Sequence, residues 1–78
     1  MIFETIISLP NGSEDIIRQT CDKIKSKDES FNYEIANGVL VIYSDDKDKA
    51  YKRGFWIINK FEILKQNFCT FKVRENEV

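Results

Sequence analysis

The chain predicts an α+β domain in the order strand, helix, hairpin, helix, strand. Three observations carry that prediction. Apolar side chains alternate with period two near both ends, they recur with helical spacing in two intervening stretches, and an Asn-Gly pair joins two β-rich runs near the middle. With 78 residues the chain makes one domain, near the size at which a single core only just offsets chain entropy, so an additional interface would stabilise it. Residues 1–74 are expected to form this domain, and residues 75–78 a charged, frayed tail.

Met1 to Leu9 sets Phe3, Thr5, Ile7 and Leu9 on one side of a strand and Ile2, Glu4, Ile6 and Ser8 on the other. Pro10, Asn11 and Gly12 stop it, and Ser13 is placed to cap a helix whose first turn holds Glu14 and Asp15. Ile16, Ile17, Thr20 and Ile24 are the expected buried stripe of that helix. In "FNYEIANGVLVIYS", Asn37 and Gly38 tolerate the positive φ of a type I′ turn, which sets Ala36 opposite Val39, Ile35 opposite Leu40 and Tyr33 opposite Ile42. Phe31, Tyr33, Ile35, Leu40 and Ile42 then share one face.

Ser44 or Asp45 is the expected cap of the next helix, with Asp45, Asp46 and Asp48 at its positive end. Caps and solvated charge explain these carboxylates better than a cation cage, which needs more oxygen ligands in a defined loop. The helix is expected to run to about Asn67, with Ala50, Gly54, Ile57, Ile58, Phe61 and Leu64 gathered on its sheet-facing side. Gly54 costs such a helix about 1 kcal/mol relative to alanine, which points either to close approach of the backbone to the sheet or to a local break. "FCTFKV" is the last strand, with Cys69, Phe71 and Val73 opposed to Phe68, Thr70 and Lys72.

This βαββαβ order resembles the ferredoxin-like split βαβ arrangement. The resemblance implies a four-stranded antiparallel sheet with two helices on one face, the first strand central and the hairpin supplying an edge. It covers almost the whole chain but carries no motif, and the fold hosts many unrelated activities.

Composition narrows the function classes. A net charge of −1 gives no global attraction to nucleic acid or anionic lipid. The N-terminus lacks the pattern of a secretory signal and no run is long enough to span a membrane, so a cytoplasmic protein is expected. Cys21 and Cys69 are read as reduced thiols, since two cysteines make no disulfide framework. The chain has no histidine to complete a zinc site or to serve as a general base. No phosphate loop or paired-carboxylate motif accompanies the remaining acids and bases. A dimeric ferredoxin-like nuclease would put an aspartate at the end of the first strand, where this chain has Ser8. No catalytic residue, metal or cofactor is therefore assigned.

Two candidate contact surfaces remain. On the second helix Trp56 falls about 140° from the centre of the buried stripe, beside Ile63 and among lysines, so Trp56, Ile63, Lys52 and Lys60 form an expected partner-binding patch. On the sheet face away from the helices, Ile6, Val41, Tyr43 and Phe68 form an expected interface. A second copy making a homodimer, a protein partner or a lipophilic ligand would each cover it. The expected function is that of a small non-enzymatic module that binds a protein, analogous in composition to viral or mobile-element accessory and inhibitor proteins. The alternative is non-specific binding of single-stranded nucleic acid, with Tyr43 and Phe68 stacking bases beside Lys72 and Arg74. "RGF" matches the opening of the RNP1 signature of RNA-recognition domains, but Trp56 and Lys60 depart from it and the segment falls in the second helix.

Overall fold

The computed structural model describes residues 1–76. Their order is β1 (Ile2–Ser8), α1 (Glu14–Lys27), β2 (Asn32–Ala36), β3 (Val39–Ser44), α2 (Lys47–Lys60), α3 (Glu62–Gln66) and β4 (Phe71–Asn76). The strands form one antiparallel sheet in the order β2-β3-β1-β4, a ferredoxin-like α+β fold. Among the described residues no helix is long and apolar enough to cross a membrane.

The hairpin has the register that its turn chemistry predicts. Ala36 pairs with Val39, Ile35 with Leu40 and Tyr33 with Ile42, while Asn37 and Gly38 both have positive φ, 54° and 74°, as a type I′ turn requires. The tip is pinned from two sides: the Leu9 amide donates to the Gly38 carbonyl at 2.7 Å, and the Gly38 amide donates to Oε1 of Glu14 at 2.7 Å.

One core joins the helices to the sheet. Ile7, Ile17, Cys21, Phe31, Ile35, Leu40, Ile42, Ile57, Phe61 and Leu64 form it, and the buried Thr5 hydroxyl donates to the Ala50 carbonyl at 2.8 Å, tying α2 to the central strand. Burial pushes the Cys21 thiol up to about 11, with the neighbouring Asp22 adding to the effect. Cys69 is half-buried, and both cysteines are free thiols.

Several expectations are corrected. The buried stripe of α1 runs through Ile17, Cys21 and the half-buried Ile24, whereas Ile16 is exposed. Thiol and isoleucine are both apolar, so helical phase relative to the sheet decided between them. Ser13 occupies the N-cap position of α1, but its hydroxyl donates to the Pro10 carbonyl instead of accepting from the helix. Asp46, not Ser44 or Asp45, caps α2, its carboxylate accepting from the Asp48 amide at 3.2 Å.

The second helix is not continuous to Asn67. It ends at Phe61, whose extended backbone (φ −104°, ψ 116°) starts α3. Gly54 is not the break. A Cβ at Gly54 would stand 2.6 to 2.8 Å from the Phe71 ring, so the glycine lets α2 press onto that ring. The last strand begins at Phe71, after Phe68 turns with φ 53°. It extends through Glu75 and Asn76, which pair with Phe3 and Ile2 and so belong to the sheet and not to a tail. The remaining two positions of the expected tail, 77 and 78, lie outside the described residues.

Candidate interaction surfaces

The long aromatics of α2 stand where the helix passes over the β4 side of the sheet. Tyr51, Phe55 and Ile58 follow one another at spacings of four and three and so lie on one face. Phe71 reaches up from β4 into the space that Gly54 leaves open. Its ring meets Phe55 edge-on at 4.9 Å and Tyr51 at 6.0 Å between centroids, geometries that favour aromatic pairs. The cluster is incompletely covered: Phe55 is 61% exposed and Tyr51 42%. Together with Ile58, Cys69 and Thr70, these rings line an open apolar groove of about 370 Å³.

Trp56 stands about 100° round the helix from Phe55. It is 46% exposed, and the Lys60 ammonium lies over its ring at 5.0 Å, a cation–π contact. Lys52 is exposed one turn earlier on the same helix. Ile63 lies beyond the break at Phe61, in α3, where it is half-buried and packs against the core. Of the expected patch, Trp56, Lys52 and Lys60 thus share α2, while Tyr51 and Phe55 are larger exposed neighbours that the sequence reading did not include. Their spacing on either side of Gly54 was the available signal.

The sheet face opposite the helices has an apolar and a polar part. Ile6 and Val41 pair directly across β1 and β3, and both are half-buried, as is Tyr43. Phe68 is not on a strand; it is 90% exposed in the turn before β4, flanking a concavity lined by Ile6, Ser8, Lys72 and Arg74. The polar part centres on Glu4, only 5% exposed despite its charge. Arg74 donates to its Oε1 through Nε at 2.9 Å and through Nη2 at 2.5 Å, and Asn76 donates to its Oε2 at 3.1 Å. Such partners are what a buried carboxylate requires. The Tyr43 hydroxyl donates to Glu34 at 3.0 Å, and burial, reinforced by that carboxylate, raises its ionisation above the usual phenol range.

The remaining charged groups serve the fold. Arg53 donates to the Tyr43 carbonyl and to the Ser44 hydroxyl, each at 3.3 Å, and lies 5.6 Å over the Phe31 ring. Asp28 accepts from both the amide and the hydroxyl of Ser30, which hold its carboxyl below the usual range. Asp45 pairs with Lys49 at 3.5 Å along α2.

With this geometry the molecule belongs by fold to the ferredoxin-like α+β proteins. No family model matches the chain, and no curated protein matches it by sequence.

Proposed function

We propose that this protein is a small, non-enzymatic, cytoplasmic module that binds a protein partner through the exposed aromatic surface of α2. The observation that carries the reading is that Tyr51 and Phe55 on one face of α2, and Trp56 about 100° round from Phe55, leave 42%, 61% and 46% of their surfaces open. Aromatics supply most of the energy of protein interfaces, and fully burying one such side chain stabilises a complex by about 1.5–3 kcal/mol. The lysine stems beside Trp56 make a polar rim. A role as a viral or mobile-element accessory or inhibitor protein fits the small size and the binding surface. A homodimer through Ile6, Val41, Tyr43 and Phe68 is the lesser assembly, because Glu4, Arg74 and Asn76 occupy part of that face with a satisfied polar network.

Single-stranded nucleic acid is the lesser partner class. Arg74 is engaged by Glu4 and Tyr43 by Glu34, which leaves little unopposed positive charge beside the rings that would stack bases.

The test compares partner retention by the wild type with retention by Trp56→Ala and Phe55→Ala, using affinity capture from the native source and quantitative mass spectrometry. A partner held by this surface should be weakened by about thirtyfold or more, equivalent to about 2 kcal/mol. Folding stability should fall by under about 1 kcal/mol, since both side chains are partly solvated and neither belongs to the buried core. Undiminished capture by both variants, or tight low-salt binding of labelled oligonucleotides, would overturn the reading.

A further inference from the structure

The sheet has two edges, β2 and β4, and a helix side chain bonds the backbone of only one of them. A two-residue hairpin makes Ala36 and Val39 a hydrogen-bonded pair, so Ile35 turns its backbone groups away from β3. There Arg18 of α1 donates to the Ile35 carbonyl at 3.4 Å. At the other edge the register sets Ile6 opposite Lys72, Glu4 opposite Arg74 and Ile2 opposite Asn76. Because Leu9 directs its amide to Gly38 on the hairpin side, alternation along β1 directs Ile6 and Glu4 toward β4. Lys72, Arg74 and Asn76 therefore bond β1, and the amides and carbonyls of Phe71, Val73 and Glu75 face outward. Among the described residues no loop or side chain bonds them.

The apolar groove under Tyr51 and Phe55 is bounded by Phe71, at the start of this same strand. Side chains at Phe71, Val73 and Glu75 lie on the helix side of the sheet, as their partners Ile7, Thr5 and Phe3 do. In a strand added beside β4, every second side chain would point to that side, and the one nearest Phe71 would enter the groove. Free main-chain groups for pairing and a pocket for alternate side chains are the two requirements of recognition by strand addition.

Charge identifies the occupant. On the other side of the sheet the β4 edge presents Lys72, exposed and without a carboxylate partner among the described residues, beside Arg74, which Glu4 already engages. A second copy of β4 is disfavoured: the antiparallel registers of fullest overlap set Lys72 against Arg74 or Arg74 against itself, and like charges directly opposite are destabilising. Alternating apolar and acidic residues satisfy both sides of the sheet. We propose that the free edge of β4 takes an extended segment of the partner protein as a fifth strand, its apolar side chains toward the Tyr51–Phe55–Phe71 groove and its acidic side chains toward Lys72. This rests on the protein-binding reading above and adds the form of the bound segment.

The probe is a blocked synthetic peptide of about seven residues, alternating leucine and glutamate, long enough to span one strand. It is titrated into the ¹⁵N-labelled full chain. Binding at peptide concentrations up to about 1 mM should slow hydrogen exchange at the amides of Phe71, Val73 and Glu75. Methylating the peptide nitrogens that face β4 should weaken binding by about tenfold or more, whereas methylating those in the other phase should not. Lys72→Glu should reduce binding of the glutamate peptide and favour its lysine counterpart. The ligand-side controls leave the protein unaltered, so loss of fold cannot imitate the result.

No binding at that concentration overturns the proposal, as does binding that leaves the three amides exchanging at their former rates. Concentration-dependent protection of the same amides without peptide would assign the edge to a second copy and also overturn it. If Phe55→Ala loses the natural partner while the peptide fails to protect β4, strand addition falls and the protein-binding reading stands. If the peptide protects β4 but Phe55→Ala and Trp56→Ala both keep the natural partner, strand addition stands and the aromatic surface falls.

Discussion

At the β2 edge Arg18 donates to the Ile35 carbonyl and the Tyr33 hydroxyl is tied to Asp22 and the Arg18 carbonyl, whereas at the β4 edge Phe71, Val73 and Glu75 turn their backbone groups outward beneath Tyr51 and Phe55. Both edges belong to βαβ units of the same topology. The first unit sets Arg18 and Asp22 of α1 against β2, and its Phe31 is buried beneath Arg53 of α2. The second places three aromatics on α2 and covers none of them fully. Open apolar surface in this small domain is therefore not spread evenly. It gathers where a helix packs through a glycine and one aromatic from the sheet must fill the gap, leaving the flanking rings at the margin.

Removing one ring from each unit should have the largest effect. Phe31→Ala should destabilise the protein by about 3–5 kcal/mol, because it empties a buried site, while Phe55→Ala should cost under about 1. Urea denaturation of the two variants measures both, and equal losses would mean that the margins are not different in kind. Gly54→Ala comes next. Alanine improves helix propensity, yet its methyl meets the Phe71 ring well inside van der Waals contact, so a net loss of about 1–3 kcal/mol is expected. A stabilised variant would show that the close approach of α2 to Phe71 relaxes freely.

A smaller effect is expected at the β2 edge. Arg18→Ala should cost about 0.5–1.5 kcal/mol, through one hydrogen bond and the stem that covers β2, again read from denaturation midpoints. The smallest effect is a titration. Burial, then the bond to Asp22, pushes the Tyr33 phenol up to about 12, against about 10 in an unfolded chain. A folded value above the unfolded one favours the neutral phenol, so its stabilisation is whole below about pH 10 and is lost as pH rises toward about 12. Asp22→Asn should lower the Tyr33 ionisation while burial keeps it above the usual range, as followed by phenolate absorbance. An unchanged titration would remove Asp22 from the β2 edge.

The order of elements, the hairpin register and the outward orientation of Trp56 follow from local sequence. Each depends on local information: Asn37 and Gly38 admit the positive φ that sets every pair beyond them, period-two alternation assigns the faces of β1, and helical phase within α2 turns Trp56 from the core. Only the tertiary structure decided what depends on residues far apart in the chain. Glu4, read as an outward polar residue, is buried because Arg74 and Asn76 reach it from the opposite end of the sequence. The α2 break at Phe61 carries no proline or glycine; it lets Phe61 and Leu64 both reach the core. The room that Gly54 leaves became interpretable only once Phe71 filled it, because a glycine in a helical pattern does not name the side chain that approaches it.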